Sequence, residues 1–465
     1  MHDMALAAGA AMTPLPRPRP ERAPLLADLV RRLSLAPLPG GDLVSVTLSV
    51  PDLARLPFHV PDGLADCWSW ARPGDRLGLL AAGSALRIER PDCAALDSAL
   101  RALDWGHHDP DQGGGQPVVF LGHGFGGGGD PAGLPAALAR VPLVALRRRA
   151  ERAELIFSHA GDTPPALIRA RWADELARLV SALDAPPPAL APLALARLDE
   201  QPDGQAFRAR VAAATRAIQA GRVEKVVLSR RIRVGGSRPF LAGRLAGALA
   251  ARHPSCAIFT AAFGARVLVA ASPERLVACA GRRVDSYALA GTAPVDPQDP
   301  FLGGRLLSGH KDRHEHRLVV EWIARALGDL CHDLDVPAEP RRMTLGQLEH
   351  LWTPISGHLR PGAGLLAAAA RLHPTPAVAG LPLAAARALL DDLGESRLGW
   401  YTGAFGWIDR AGDGEMAVVL RCALLDGSHA WLSAGGGIVA ESEPEAEFAE
   451  TELKLRTMLD ALQEA

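Results

Sequence analysis

Apolar residues in the first half of the chain are grouped into short runs. Turn-forming residues separate these runs, a pattern that predicts strands rather than long helices. We expect four such strands, at 43–50, 118–121, 141–146 and 154–157. A Gly-rich stretch at 113–129 and a Pro/Ala segment at 185–192 interrupt the pattern and predict surface connections.

Apolar periodicity in the second half alternates between that of helices and that of strands. Helices are predicted at 205–219 and 241–251. Strands are predicted at 226–234, 256–262, 267–271, 400–409 and 416–425. The second and third of these strands should form a hairpin, and the last two should be joined by a turn at 410–414.

Two longer helices follow from the same periodicity. Residues 313–330 carry one apolar stripe, formed by Leu318, Val319, Trp322, Ile323, Ala326, Leu327 and Leu330. The last helix starts near Ser442 and Pro444, and Ser442 and Glu445 are spaced as a capping box. Strands interrupted by long helices, without regular βαβ alternation, predict an α+β fold with largely antiparallel sheets.

Composition excludes some classes of partner. The 465 residues are 48% hydrophobic, which supplies an ample core, and the formal net charge is −2. A chain without a basic surplus lacks the electrostatic footprint of a protein that binds nucleic acid or an anionic membrane. Neither partner is therefore expected.

Location and redox state also follow from the sequence. Residues 1–21 contain Arg17, Arg19 and four prolines but no apolar stretch typical of a signal peptide, and they predict a disordered tail. No run approaches the roughly 18 to 20 apolar residues that span a bilayer, so a cytoplasmic protein is expected. Six scattered cysteines predict reduced core thiols rather than disulfides.

Lysine is rare in this chain. Only three of the 50 basic residues are lysines, namely Lys225, Lys311 and Lys454. Arginine stays protonated in cells, whereas a desolvated lysine can lose its proton and act as a base or nucleophile. These lysines are candidates for such chemistry, although compositional drift would leave the same pattern. For Lys311, at the start of a helix, a surface charge is the simpler interpretation.

Acidic residues share one edge on each of the two longer helices. Steps of three and four residues return to the same face, which groups Asp312 with Glu315 and aligns Glu447, Glu450 and Lys454. If the two edges converge, an all-oxygen set without cysteine favours Mg²⁺ over Zn²⁺. A solvated face remains the ordinary explanation for either helix alone.

Three consecutive glycines, Gly435, Gly436 and Gly437, are predicted to end a strand just before the acidic helix. Glycines in such a place let backbone N–H groups point at a carboxylate or phosphate, and a tight turn explains them equally well. The run matches neither GxGxxG nor GxxxxGK[ST], so nucleotide binding is not indicated.

Ten motifs follow one another in the second half of the chain. They are Lys225-Val-Val-Leu-Ser229, Ser272-Pro-Glu274, Leu289-Ala-Gly-Thr292, Lys311-Asp-Arg-His-Glu-His316, His350-Leu351, His373-Pro-Thr-Pro-Ala-Val-Ala-Gly380, Tyr401-Thr-Gly-Ala-Phe-Gly-Trp407, Arg421, the three glycines, and the segment 447–454. In this order and spacing, the chain from 205 to 462 resembles the chorismate-utilising enzymes. Those relatives usually carry alanine at the position of Gly436.

The resemblance implies a fold, a substrate and a cofactor. The fold would be a large single-domain α/β sandwich with mostly antiparallel sheets flanked by helices. Residues 205–462 would form its catalytic region and residues 22–195 its variable N-terminal half. Chorismate would be the substrate, Mg²⁺ the cofactor, and the protein a monomer.

The resemblance also implies binding roles. Glu315 and Glu447, with Asp312 and Glu450 behind them through water, would hold Mg²⁺ against the ring carboxylate of chorismate. The enolpyruvyl carboxylate would be bound by two cations and by the glycine amides, namely Arg421, Lys454 and Gly435 to Gly437. Four further residues would complete the substrate pocket: Ala290, Gly291, Thr292 and Tyr401.

Three residues would carry the proton chemistry. Lys225 would take a proton from the attacking water, and Glu274 would protonate the departing C4 hydroxyl, which requires a raised pKa. His350 would orient that hydroxyl or the ring, although a satisfied core histidine is the ordinary alternative. For Tyr401, simple packing is the alternative.

Two positions separate the reactions of this family. Aminodeoxychorismate synthases carry a nucleophilic lysine where Ala290 stands, and anthranilate synthases typically lack a basic residue at the position of Lys225. Together the two residues resemble isochorismate synthases, in which water adds at C2 as the C4 hydroxyl leaves. Salicylate synthases, which go on to expel pyruvate, are the alternative, and a non-catalytic paralogue is a third.

Overall fold

The computed structural model describes most of the chain. The described residues are 22–54, 60–62, 64, 66–126, 132–186, 193–294, 307, 309–345 and 348–465. The predicted tail, 1–21, lies outside them, as do the side chains of residues 292–294, 310, 311, 345 and 348. The predicted role of Lys311 therefore stays a prediction.

Strands and helices alternate irregularly along these residues. The strands are β1 Leu43–Ser49, β2 Cys67–Arg72, β3 Leu77–Ala82, β4 Leu86–Arg90, β5 Trp105–His108, β6 Val118–His123, β7 Ala137–Val141, β8 Val144–Arg149, β9 Arg152–Ala160, β10 Leu195–Gln201, β11 Lys225–Gly236, β12 Ala257–Phe263, β13 Arg266–Ser272, β14 Arg275–Ala280, β15 Arg283–Pro294, β16 Cys331–Asp335, β17 Arg341–Leu345, β18 Leu348–Leu359, β19 Gly380–Leu381, β20 Ala404–Asp409, β21 Gly414–Val418, β22 Cys422–Asp426 and β23 His429–Ile438. The α-helices are α1 Ala23–Leu35, α2 Pro51–Ala54, α3 Cys93–Arg101, α4 Pro165–Asp184, α5 Gly204–Gln219, α6 Ala242–Arg252, α7 His310–Gly328, α8 Leu365–Leu372, α9 Leu383–Asp392 and α10 Pro444–Glu464.

The described strands form two sheets, and both halves of the chain contribute to each. The first sheet has 13 strands, in the order β10-β11-β23-β22-β13-β12-β2-β3-β8-β9-β1-β5, with β19 paired to β11. The second has 10, in the order β16-β18-β15-β14-β21-β20-β6-β7-β4, with β17 paired to β18. Among the described pairs, β1 and β5 run parallel, whereas β11 and β23, and β15 and β18, are antiparallel.

Aromatic side chains fill the space between the two sheets. Successive residues of a strand point to opposite faces, so Trp68 and Trp70 of β2 share one face. Trp70 stacks on Phe259 of β12 with ring centroids 5.5 Å apart, and Phe259 stacks on Phe405 of β20, in the other sheet, at 4.8 Å. The two sheets therefore pack face to face, which confirms the predicted sandwich.

Helices cover the outer face of each sheet. Leucines and valines of α1, α4, α6 and α10 pack on the first sheet, and those of α3, α7 and α8 pack on the second. Helices α5 and α9 pack against β11 through a smaller cluster that includes Phe207 and Leu389. The amphipathic stripe predicted over 313–330 is α7, and Val319, Ile323 and Leu327 are buried in it.

Two predicted strands are in fact broken. Residues 141–146 span the end of β7 and the start of β8, which belong to different sheets. Residues 416–425 likewise divide into β21 in the second sheet and β22 in the first. Each run has one interrupting residue, Pro142 in the first and Arg421 in the second, but the apolar residues on both sides of it continue one strand-like pattern.

The capping box predicted for the last helix is also wrong. The Oγ of Ser442 donates to Glu447 Oε1 at 2.6 Å and accepts from Val439 N at 3.1 Å. Glu445 pairs with Arg208 on α5 instead. Ser442 thus fixes the side chain of Glu447 rather than the backbone of the first turn.

The state of the cysteines and the apolar character of the helices were both predicted from the sequence. All six cysteines are buried and unbonded, as predicted. Within the described part of the chain, no helix has the length and apolar character needed to cross a membrane.

Candidate active site

One cleft brings together nearly all of the predicted site residues. Its volume is about 970 Å³, including the part open to solvent, and β11, β15, β23, α7 and α10 border it. The predicted residues that line it are Glu274, Ala290, Gly291, Asp312, Glu315, His350, Tyr401, Arg421, Gly435, Gly436, Gly437, Glu447, Glu450 and Lys454. Lys225 lies beside the cleft, and the side chain of Thr292 is outside the described residues.

Lys225 is the first residue of β11 and is almost completely buried. Its Nζ donates to Oε1 of Glu315 at 2.7 Å, and its side chain is 1% exposed. Its Cε would lie 2.7 Å from a Cβ added to Gly437. The amine therefore pairs with one residue of the cleft wall, and its side chain lies where a Cβ at Gly437 would have no room. The ion pair with Glu315 was not predicted from the sequence.

Glu274 lies in the turn that follows β13. Its backbone N–H donates to Ser272 Oγ at 3.2 Å, and its carbonyl accepts from Val418 N at 3.0 Å, so the turn is fixed at both ends. Burial raises the pKa of its carboxyl to about 7, although the Lys225 charge and a hydrogen bond from Thr375 act in the opposite direction. A carboxyl with this pKa is partly protonated at neutral pH and can donate a proton.

The acidic edges of α7 and α10 face the same cleft rather than bulk solvent. Glu447 is 2% exposed and is held by Ser442, while Glu315 is held by Lys225. Asp312 lies against Gly291, and Glu450 pairs with Lys454 at 2.5 Å. This set offers carboxylate oxygens alone, the donors that Mg²⁺ prefers.

Arg421 lies in the break between β21 and β22. Its φ is +46°, a left-handed conformation that is uncommon for a side-chain-bearing residue and that turns the chain from one sheet to the other. Burial lowers the pKa of its guanidinium. Its guanidinium makes no hydrogen bond or ion pair with the described residues, so its donors are available to an anion in the cleft.

The glycine run forms the end of β23 shortly before α10, as predicted, and it is extended strand rather than a tight turn. Gly435, Gly436 and Gly437 pair with Ser229, Leu228 and Val227 of β11. On the other edge, the described pairing of β23 with β22 stops at Ser433. That edge of the glycine segment therefore borders the cleft, and Lys454 Nζ donates to the Gly435 carbonyl there at 2.9 Å.

His350 and Tyr401 complete the wall as neutral groups. Burial, together with the charges of Arg421 and Lys454, lowers the pKa of His350 to about 3. Its Nδ1 lies 3.2 Å from the Gly291 carbonyl. Because a carbonyl only accepts, Nδ1 carries the proton and Nε2 is an acceptor. Burial raises the pKa of Tyr401, so its hydroxyl stays protonated.

Comparison with known proteins agrees with this geometry. The sequence pattern of the family described as "Chorismate binding enzyme" matches residues 41–463. The chain belongs to this family. Two curated relatives of this chorismate-binding enzyme are a putative isochorismate synthase of Aeromonas hydrophila, 40% identical over 266 residues (56% of this chain, 67% of the relative), and the putative isochorismate synthase MenF of Mycobacterium tuberculosis, 42% identical over 261 residues (52% and 68%).

A solved structure extends the likeness to the whole fold. The menaquinone-specific isochorismate synthase MenF of Escherichia coli superposes with a TM-score of 0.78 at 25% identity, covering 94% of this chain and 98% of that one. The similarity thus includes the N-terminal half, which lies outside the ten motifs.

A buried arginine that no sequence pattern singled out organises the cleft wall of this chorismate-binding enzyme. Arg397 donates to the Val378 carbonyl at 2.7 Å, to Thr402 Oγ1 at 2.6 Å and to the Val227 carbonyl at 3.0 Å. All three acceptors belong to residues that line the cleft. The guanidinium also lies 3.7 Å over the ring of Phe125. Arginine supplies nearly every cation of this chain, so no compositional signal marks this one.

Gly436 and Gly437 differ in how much room they leave for a side chain. A Cβ at Gly437 would lie 2.7 Å from both Glu315 Oε1 and Lys225 Cε, whereas a Cβ at Gly436 would meet only Glu447 Oε2, at 3.0 Å. We expect Gly437→Ala to displace the Lys225–Glu315 pair and to lower kcat about 100-fold. Gly436→Ala, the residue usual in relatives, should retain most activity. Steady-state kinetics of both variants test this, and equal losses would contradict it.

Proposed function

We propose that this chorismate-binding enzyme is an isochorismate synthase, which adds water at C2 of chorismate and releases the C4 hydroxyl. The proposal depends on one observation. Glu274, a carboxyl whose pKa burial raises to about 7, lines the cleft, and the buried amine of Lys225 lies beside it, paired with the cleft residue Glu315. The relatives described as isochorismate synthases support the same reaction.

The proton transfers balance between these two residues. Lys225 would accept a proton from the attacking water as the water oxygen bonds to C2. The ring double bonds shift, and the C4–O bond breaks as Glu274 gives its proton to the leaving hydroxyl. Lys225 ends protonated and Glu274 ionised, so a proton must pass through solvent from the amine to the carboxyl before the next turnover.

Cations on one side of the cleft would position the substrate. The unpaired donors of Arg421 can form a bidentate contact with a carboxylate, and Lys454 lies on the same cleft wall beside Gly435. Holding the enolpyruvyl carboxylate here would fix the ring between the amine and the acid. Neutral His350 would accept a hydrogen bond at Nε2, for instance from a hydroxyl of the substrate.

The carboxylates of α7 and α10 fit Mg²⁺ by their chemistry. Among the described residues, no three of the cleft carboxylates place ligand atoms within 4.8 Å of one another. Mg²⁺ usually takes one or two carboxylates and completes its shell with water and substrate oxygens, so Glu315 and Glu447 suffice as direct ligands. When bound, the ion would neutralise the ring carboxylate and hold it in place.

Ala290 supports water as the nucleophile. It lies on β15 and lines the cleft, in register with Leu351 of β18 and next to the pair of Thr292 with His350. A methyl group at this position cannot form a covalent adduct with the ring. A nucleophilic lysine there would indicate a different reaction of the family.

Product analysis tests the proposal against its nearest alternative. Purified protein incubated with chorismate and Mg²⁺ should yield isochorismate as the sole product by liquid chromatography, and omission of Mg²⁺ with added chelator should stop turnover. Salicylate plus pyruvate would mean a salicylate synthase. No turnover by folded protein under any of these conditions would mean a non-catalytic paralogue.

The setting of the reaction stays a prediction. We propose a cytoplasmic monomer whose product enters menaquinone, catechol siderophore or salicylate synthesis. Solved structures of similar proteins include a menaquinone-specific isochorismate synthase and a putative 2,3-dihydroxybenzoate-specific isochorismate synthase of Bacillus anthracis.

A further inference from the structure

A β-bulge lies at the exposed edge of the second sheet, away from the cleft. The edge strand β16 pairs with β18, and the register runs from Cys331 opposite Leu359 directly to Asp333 opposite His358. His332 is the extra residue on β16. A bulge of this kind leaves two residues opposite one and changes the direction of the side chains at that point.

The bulge brings two histidines and a carboxylate together. Asp333 and His358 are directly opposite and therefore share a face. His332 would point to the other face of a regular strand, but here its ring lies 5.8 Å from that of His358, at an interplanar angle of 31°. The ligand atoms of the three side chains all lie within 4.8 Å of one another.

Hydrogen bonds orient His358 for coordination. Asp333 accepts from the backbone N–H of His358 at 2.8 Å and lies 2.9 Å from its Nδ1. A separation of 2.9 Å suits two neighbouring ligands of one ion, which would replace the Nδ1 proton and leave the neutral ring protonated at Nε2. About half of each of the three side chains is exposed, so a hydrated ion can reach the donors.

We propose that His332, Asp333 and His358 bind a divalent transition-metal ion such as Zn²⁺, with water completing the shell. Two imidazole nitrogens and one carboxylate oxygen suit Zn²⁺, Ni²⁺ or Cu²⁺. Mg²⁺ prefers oxygen ligands, so it should not compete here as it would in the cleft.

The ion would cross-link the edge of the sheet. It would join β16 to its only described neighbour in the sheet order, β18. Binding that requires the folded register stabilises the folded state by mass action, so Zn²⁺ should raise the melting temperature. An ion on this edge would also obstruct pairing with a strand of another molecule.

Zn²⁺ titration of the whole protein in a large excess of Mg²⁺ tests the site. Calorimetry should show one Zn²⁺ bound by the wild type, and His332→Ala and His358→Ala should each weaken binding by more than about tenfold. His429→Ala, which removes an exposed histidine from β23 in the other sheet, is the matched control and should bind as the wild type does. All four proteins should form the same product from chorismate at similar rates.

Two results would overturn the proposal. One is Zn²⁺ binding by His332→Ala and His358→Ala that equals that of the control. The other is no measurable binding by the wild type. Co²⁺ provides a second readout, since its visible absorption should show nitrogen coordination in the wild type and lose it in both histidine variants. Failure of this site would leave the proposed reaction unaffected, because none of its residues lines the cleft.

Discussion

Replacing Glu274 with glutamine should lower kcat for isochorismate formation by about 10²- to 10⁴-fold. Glutamine preserves the shape of the side chain and its contact with Thr375, but it has no proton to give to the leaving hydroxyl. Substrate binding should change little, because the cations that would hold the carboxylates are on other elements, at Arg421 and Lys454. The kinetic signature is therefore a lower kcat at a similar KM.

The pH dependence gives an independent check on the same residue. Burial raises the pKa of Glu274 to about 7, and the acid must be protonated to act. In the wild type, kcat/KM should fall as the pH rises through about 7, since this ratio reports the free enzyme. The residual activity of Glu274→Gln should lack that decline. A variant with wild-type kcat, or with an unchanged alkaline decline, would exclude Glu274 as the acid.

The substitution Glu274→Gln should raise the stability of the fold in alkaline buffer although it lowers activity. The folded-state pKa is raised from 4.5 to about 7, so the stability that protonation contributes is fully present below 4.5 and is lost as the pH rises through about 7. Above that pH, the buried carboxylate destabilises the fold by about 3 kcal/mol. Glu274→Gln should therefore unfold at higher urea concentration than the wild type in alkaline buffer, and the gain should shrink toward pH 4.5.

Much of the site could be predicted because its residues belong to motifs that can be recognised in the sequence without knowing the fold. Glu315 and Glu447 are 132 residues apart in the sequence and lie on helices that cover different sheets, yet both line one cleft. The hydrophobic pattern predicted the two helices but not that their acidic edges face one cleft. That expectation came from the family resemblance, and the structure agrees with it.

What the sequence could not supply are features that depend on exact register or on long-range pairing. The break at Arg421 lies in a run whose other residues, 416–420 and 422–425, are all apolar, and the bulge at His332 changes the face of a single side chain. The donors of Arg397 meet three acceptors from separate segments. None of these features changes the hydrophobic periodicity of the sequence, because periodicity reports only which face of a regular helix or strand is buried.

The ion pair between Lys225 and Glu315 makes the role of Lys225 the central question about the mechanism. The Lys225 side chain is 1% exposed and its Nζ lies 2.7 Å from a carboxylate oxygen of Glu315, which is the geometry of a counter-ion. As a base it must lose its proton during turnover, and as a counter-ion it must keep it. Both roles predict that Lys225→Ala is inactive, by about 10³-fold or more, so alanine does not separate them.

Lys225→Arg separates the two roles. Arginine keeps the positive charge and can pair with Glu315, but it does not lose its proton at any pH in which the enzyme is folded. If Lys225 is the base, Lys225→Arg should be as inactive as Lys225→Ala while retaining chorismate binding and a wild-type melting temperature. If the arginine variant instead keeps turnover within about tenfold of the wild type, Lys225 acts only as a counter-ion, and the proton of the attacking water must go to another group. Because arginine is larger and the site is buried, the melting temperature of Lys225→Arg is the control that shows whether a loss of activity reports chemistry or packing.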